Sequence, residues 1–184
     1  MNKGHHLILG RLEDFITGEI LDDTHDERLK QNLARRLVTA KGYEKKEITP
    51  RHRLLVTAGD RQAMVPIDFL ISLKEKVGMI VKYGPGSLVT RRRPGVAASR
   101  LVTSYQVPVV VVTNGEDAEI IDGATGRITG TGLDAIPMKH DLEIQASGYL
   151  FEPIPEKQAE MESRIVYAFE VDGACPCDDT VCKL

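Results

Sequence analysis

The residues with the clearest chemical potential lie on two neighbouring apolar segments: Asp68 within Met64–Leu73 and Lys82 within Val77–Tyr83. The turn Lys74-Glu75-Lys76 between them is short and polar, so the two segments are expected to pair as an antiparallel hairpin. Side chains two apart on a strand share a face. Positions 80 and 82 therefore point together, and the hairpin can bring Asp68 beside them. An acid on one strand opposite an acid-x-Lys on the next is the layout of a metal-dependent phosphodiesterase. Two carboxylates hold Mg²⁺, metal and lysine activate a water, and the positive charges stabilise the transition state. Here the residue two before the lysine is Ile80, and an apolar group cannot ligate Mg²⁺. A cross-strand ion pair between Asp68 and Lys82 is the alternative reading of the two charges.

Basic residues follow directly. Lys82 runs through Gly84-Pro85-Gly86-Ser87 into Arg91-Arg92-Arg93, with Arg100 further on. Backbone donors and clustered cations of this kind form a strip that could track a nucleic-acid backbone; the plainer reading is a solvated basic loop opening a helix. The glycines themselves are a turn, because neither a dinucleotide fingerprint nor a Gly-Lys-Ser/Thr phosphate loop accompanies them. At the far end, Cys175, Cys177 and Cys182 could give three thiolates to Zn²⁺ or an iron–sulfur cluster. Such sites usually take four ligands, so a reduced tail competes with that reading.

The elements that must position these groups read as α/β. Leu29, Leu33 and Leu37, with Ala34 and Val38, give one apolar face to a helix from Asp26 to about Lys41, with Thr24 as N-cap. Strands over Arg53–Ala58, Met64–Leu73 and Val77–Tyr83 follow as a meander. Pro94 is expected to open a second helix, Gly95–Ser104, since proline suits a first turn. Val107–Thr113 is nearly continuously apolar, as in a strand covered on both faces, and Ala118–Asp122 follows between two turns. A last helix spans Pro153–Glu170, and Phe15–Ile20 suggests a short strand pair. The strand–helix–strand unit requires a mixed β-sheet flanked by helices. The expected division is an N-terminal extension (1–24), a core (25–136), and a C-terminal helix with the cysteine tail (137–184).

These features in this order resemble a known family. Asp26-Glu27-Arg28-Leu29-Lys30-Gln31, Leu37-Val38, Gly42-Tyr43, Ile67-Asp68, Ile80-Val81-Lys82, Tyr105 and Val112-Thr113-Asn114-Gly115 together look like the N-terminal domain of type I restriction enzyme R subunits, a PD-(D/E)xK nuclease fold. The resemblance implies a restriction-endonuclease-like core, DNA as partner and, in an active member, Mg²⁺ as cofactor. It implies Asp68 and Lys82 as catalytic residues, Asp68 as a metal ligand, and a first-helix acid, Asp26 or Glu27, as a rescue for the missing strand acid. Two family positions depart: the glutamate falls on Ile80, and the second-helix glutamine on Leu101. The expectation is a nucleic-acid-binding protein with a degenerate, inactive or weakly active site. The alternative is an active Mg²⁺-dependent DNA endonuclease using Asp68, Lys82 and Glu27.

Bulk properties agree with an ordinary globular chain. Its 184 residues are 42% hydrophobic and 28% charged, and the net charge of −3 argues against nonspecific coating of nucleic acid while allowing a local basic groove. No apolar run approaches a membrane span and the N-terminus lacks a signal-peptide pattern, so no membrane and a cytoplasmic location are expected. No Walker motif is present, which excludes ATP-driven translocation by this chain. A protein partner or a homodimer is compatible with all of this.

Overall fold

The computed structural model describes residues 7–173 and 181–183. Its centre is a mixed sheet. β3 (Ile48–Ala58), β4 (Arg61–Leu73) and β5 (Lys76–Tyr83) form an antiparallel meander, β5 runs parallel to β6 (Val109–Thr113), and β7 (Ala118–Asp122) and β8 (Ile128–Thr131) continue antiparallel. A two-residue strand, β9 (Cys182–Lys183), pairs with the start of β4. A separate ribbon joins β1 (Gly10–Glu13) to β2 (Ile20–Asp23). The α/β class, the meander and the helix-linked parallel pair are as the sequence implies.

Both faces of this sheet are covered, and β6 shows why its sequence is almost wholly apolar. Val109 and Val111 join Leu33, Ala34 and Leu37 of α1 (His25–Thr39) in one core. Val110 and Val112 join Val96, Ala97 and Ala98 of α2 (Val89–Ser99), and Val166 of α4 (Glu156–Tyr167), in the other. Thr24 caps α1 as its sequence position suggests, its side chain accepting from the Glu27 N–H.

The N-terminal strand pair flanks residues 15–19 rather than lying within them, and three other elements differ from expectation. Pro94 lies inside α2 rather than at its start, because the helix begins at Val89 and ends at Ser99. The small residues after Pro94 hold it there: a Cβ on Gly95 would lie 2.9 Å from a methyl of Val112, so α2 packs unusually close to β6. The three arginines are therefore helical, and Tyr105 sits beyond the helix, its hydroxyl accepting from the Val77 N–H at 2.7 Å. The second difference is α3 (Lys139–Ser147), whose only buried residue is Leu142, too little periodicity to mark it as a helix. The third is the C-terminal helix, which starts at Glu156 and turns into a π-helical segment over Ala168–Asp172. The β4–β5 turn takes left-handed angles at Lys74 and Glu75 (φ 49° and 68°), a type I′ pattern made without glycine.

Candidate functional site

The site forms where β4 turns over. Val65 and Ile67 face the α2–α4 core, whereas Phe69 and Ile71 face the α1 core. Asp68 sits at the changeover. Opposite it, Arg51 of β3 adopts a left-handed φ of 51° and drops out of a ladder that pairs Pro50 with Phe69 and His52 with Ile67. A non-glycine residue in that region costs on the order of 1 kcal/mol. The Arg51 guanidinium offsets this through ion pairs to Asp14 (2.5 Å) and Glu19 (2.7 Å).

The turnover separates the two signature charges. Asp68, 6% exposed, points toward α1: Oδ1 lies 3.1 Å from Lys30 Nζ, and Oδ2 accepts from the Tyr83 backbone N–H at 2.7 Å. Lys82, 5% exposed, points to the opposite face, where it donates to the Pro66 carbonyl (2.7 Å) and to Glu170 Oε2 (3.2 Å). The cross-strand pair is not formed; Asp68 pairs instead with Lys30, and Lys82 with Glu170. Ile80, the position of the missing acid, is fully buried in the α2–α4 core.

The first-helix acids lie around Lys30. Asp26 Oδ1 accepts from the Tyr83 hydroxyl at 2.9 Å, and Glu27 accepts from Gln31 Nε2 at 2.8 Å. Burial opposes the charge on Lys30, but the carboxylate of Asp68, with lesser help from Glu27 and Asp26, holds its ammonium above the ordinary lysine range. Burial raises the Tyr83 phenol, and its bond to Asp26 adds to the shift. Lys30 Nζ also lies 5.5 Å from the centre of the Tyr83 ring.

The arginines of α2 are engaged with the protein. Arg92 makes a two-pronged contact to Glu119, both bonds 2.5 Å. Arg93 and Arg100 converge on the buried Glu162 of α4 at 2.6 and 2.5 Å. Despite burial, the two guanidiniums hold Glu162 below the usual glutamate range. Arg91 instead lies against Gly84, where a Cβ would meet its guanidinium at 2.5 Å, and donates to the Pro85 carbonyl at 3.4 Å. Cys175 and Cys177 fall outside the described residues, and Cys182 is exposed on β9. No group of three or more His, Cys, Asp or Glu arranged to hold a metal occurs among the described residues.

A family model described as the type I restriction enzyme R protein N terminus matches residues 25–137, more than half of the chain. The chain belongs to that family. No curated protein and no solved structure matches. The matched span carries the R-protein core from α1 through β8, including Lys30, Asp68, Ile80, Lys82 and Tyr83. Asp14, which anchors Arg51, and Glu170, which neutralises Lys82, lie outside it. Membership suggests a nuclease-related role with DNA. Among the described residues no helix is long and apolar enough to cross a membrane.

Lys30, Tyr83 and Glu170 are the contributors that motif reading passed over. Lys30 had a signal, since it stands four residues after Asp26 and so on the same helix face. Glu170 had none, because only the π-helical turn brings it to Lys82.

Proposed function

We propose that this protein is a nucleic-acid-binding member of the R-protein N-terminal family, built on a PD-(D/E)xK-type core whose cleavage site is degenerate. The observation carrying this reading is that protein groups already neutralise both signature charges, Asp68 through Lys30 and Lys82 through Glu170. Mg²⁺ demands near-octahedral oxygen ligation at about 2.1 Å. Asp68 spends one oxygen on an ammonium and the other on a backbone N–H, while Ile80 offers a buried methyl surface. As arranged, these residues do not fit a divalent cation.

What the fold then offers DNA is its surface. Arg91 and the exposed Pro85–Ser87 loop follow the site, and the partly exposed edges of Arg92 and Arg93 lie on the same helix. Guanidiniums anchored on one side by glutamates are held in place to meet phosphate on the other. DNA in the cytoplasm is the partner this reading names. Fluorescence anisotropy with labelled duplex and branched DNA tests it. Binding should weaken steadily with salt and several-fold in Arg91→Glu. No binding at low salt, or salt-independent binding, overturns it.

A further inference from the structure

We propose that the C-terminal segment is an internal stand-in for nucleic acid: the Glu170 carboxylate occupies the place of a backbone phosphate against Lys82, and DNA must displace it to reach that ammonium. The inference rests on the DNA-binding reading and goes beyond it. An ammonium binds a carboxylate oxygen and a phosphate oxygen through the same charge-assisted bonds. Lys82 Nζ lies 3.2 Å from Glu170 Oε2 and 2.7 Å from the Pro66 carbonyl. It stands on β5 two residues before Gly84, against which Arg91 packs. A phosphate backbone that follows Arg91 and the Pro85–Ser87 loop therefore reaches Lys82 next.

The segment that meets Lys82 is an addition to the core, and its hold is light. Lys82 lies within the matched span 25–137, whereas Glu170 and β9 lie beyond it. Glu170 sits on the π-helical run Ala168–Asp172, a rare geometry found most often at functional sites. Val171 is buried against the core, but the other anchors are slight. Arg61 meets Asp172 at 3.1 Å across an exposed pair, and β9 adds two register positions on β4. Exposed pairs contribute little, and so short a terminal strand opens readily. Withdrawing Glu170 alone would strand a buried ammonium, so its departure is favourable only when another anion arrives. Release of the segment is thereby tied to DNA.

Fluorescence anisotropy with labelled duplex DNA tests this on the full chain, with Glu160→Gln as the charge control because Glu160 is exposed on α4. Glu170→Gln should bind roughly five-fold or more tighter than the control. Adding Lys82→Met should cancel that gain. Asp172→Asn loosens the segment without stranding Lys82 and should bind about two-fold tighter than the control. In wild type, hydrogen exchange of the amides of residues 168–173 should accelerate when DNA saturates the protein. Should Glu170→Gln not fold, Asp172→Asn and the exchange of wild type decide. Glu170→Gln no tighter than the control, a gain that survives Lys82→Met, or exchange unchanged by DNA overturns this inference and leaves the DNA-binding reading in place. Absence of DNA binding by wild type and every variant overturns both.

Discussion

Lys30 Nζ stands 3.1 Å from Asp68 Oδ1, on the face of the sheet opposite to the one where Lys82 meets Glu170. Two charges that neighbouring strands would place side by side are thus drawn apart by the turnover of β4, and each is neutralised by a helical element. Charge compensation by the chain itself is the feature from which the functional reading follows.

Restoring the family acid should not restore a site. Ile80, with no exposure, belongs to the same buried core as Val110, Val112 and Ala97. Ile80→Glu combines a lost core side chain with a carboxylate buried among apolar groups, its face neighbour Lys82 being already paired with Glu170, a cost of several kcal/mol. Thermal melting should show Tm lower by roughly 10 °C or more, and the variant should cut no DNA. A stable Ile80→Glu protein would show that the core yields there more easily than its packing indicates.

Lys82 and Glu170 should prove strongly coupled. Both are largely buried, with side-chain exposures of 5% and 12%. Removing one partner from such a pair strands the other and costs about 3 kcal/mol or more. Glu170→Ala and Lys82→Met should each destabilise by that order in urea unfolding, with the double variant well below their sum. Additive losses would mean that the pair contributes little.

Acid should loosen the N-terminal ribbon at a definite pH. Although burial favours its protonated form, Asp14 is held down to about 2 by the Thr17 N–H, Arg51 and Gln31. A depressed carboxyl contributes stability that is present above its unfolded value near 3.9 and is lost as pH falls through the folded one. That contribution, on the order of 2 kcal/mol, should disappear between about pH 4 and pH 2. Stability against pH should flatten across this window in Asp14→Asn, which starts lower at neutral pH. Parallel curves for the two proteins would contradict the assignment.

Lys30 should respond at the other extreme. Its raised ammonium contributes stability that is complete below the ordinary lysine value near 10.4 and is lost as pH rises through the folded value. Lys30→Met should therefore be less stable than wild type at neutral pH, with the gap closing only above pH ~10.5. A gap already closing near pH 8 would mean that burial outweighs the Asp68 carboxylate and holds the ammonium below the ordinary lysine range.

Local patterns marked the sheet strands well, because the apolar runs of β4, β5 and β6 record burial that the residues carry themselves. Asp68, Lys82 and the departure at Ile80 were legible for the same reason. The start of α2 was not, since a proline rule for first turns lost to the close packing of Gly95 on Val112. Nor was the destination of each charge. Which partner Asp68 or Lys82 takes depends on the β4 turnover, on the left-handed Arg51 and on a π-helical turn 88 residues from Lys82. None of these leaves a short-range signature.

The most direct measurement of the central claim is a single-turnover cleavage assay on supercoiled plasmid and branched DNA with Mg²⁺ or Mn²⁺, at protein concentrations that saturate binding. The predicted result is DNA that is bound and remains uncut, by wild type and by Asp68→Ala and Lys82→Ala alike. Metal-dependent nicking by wild type that disappears in both variants would contradict the account and establish a working nuclease.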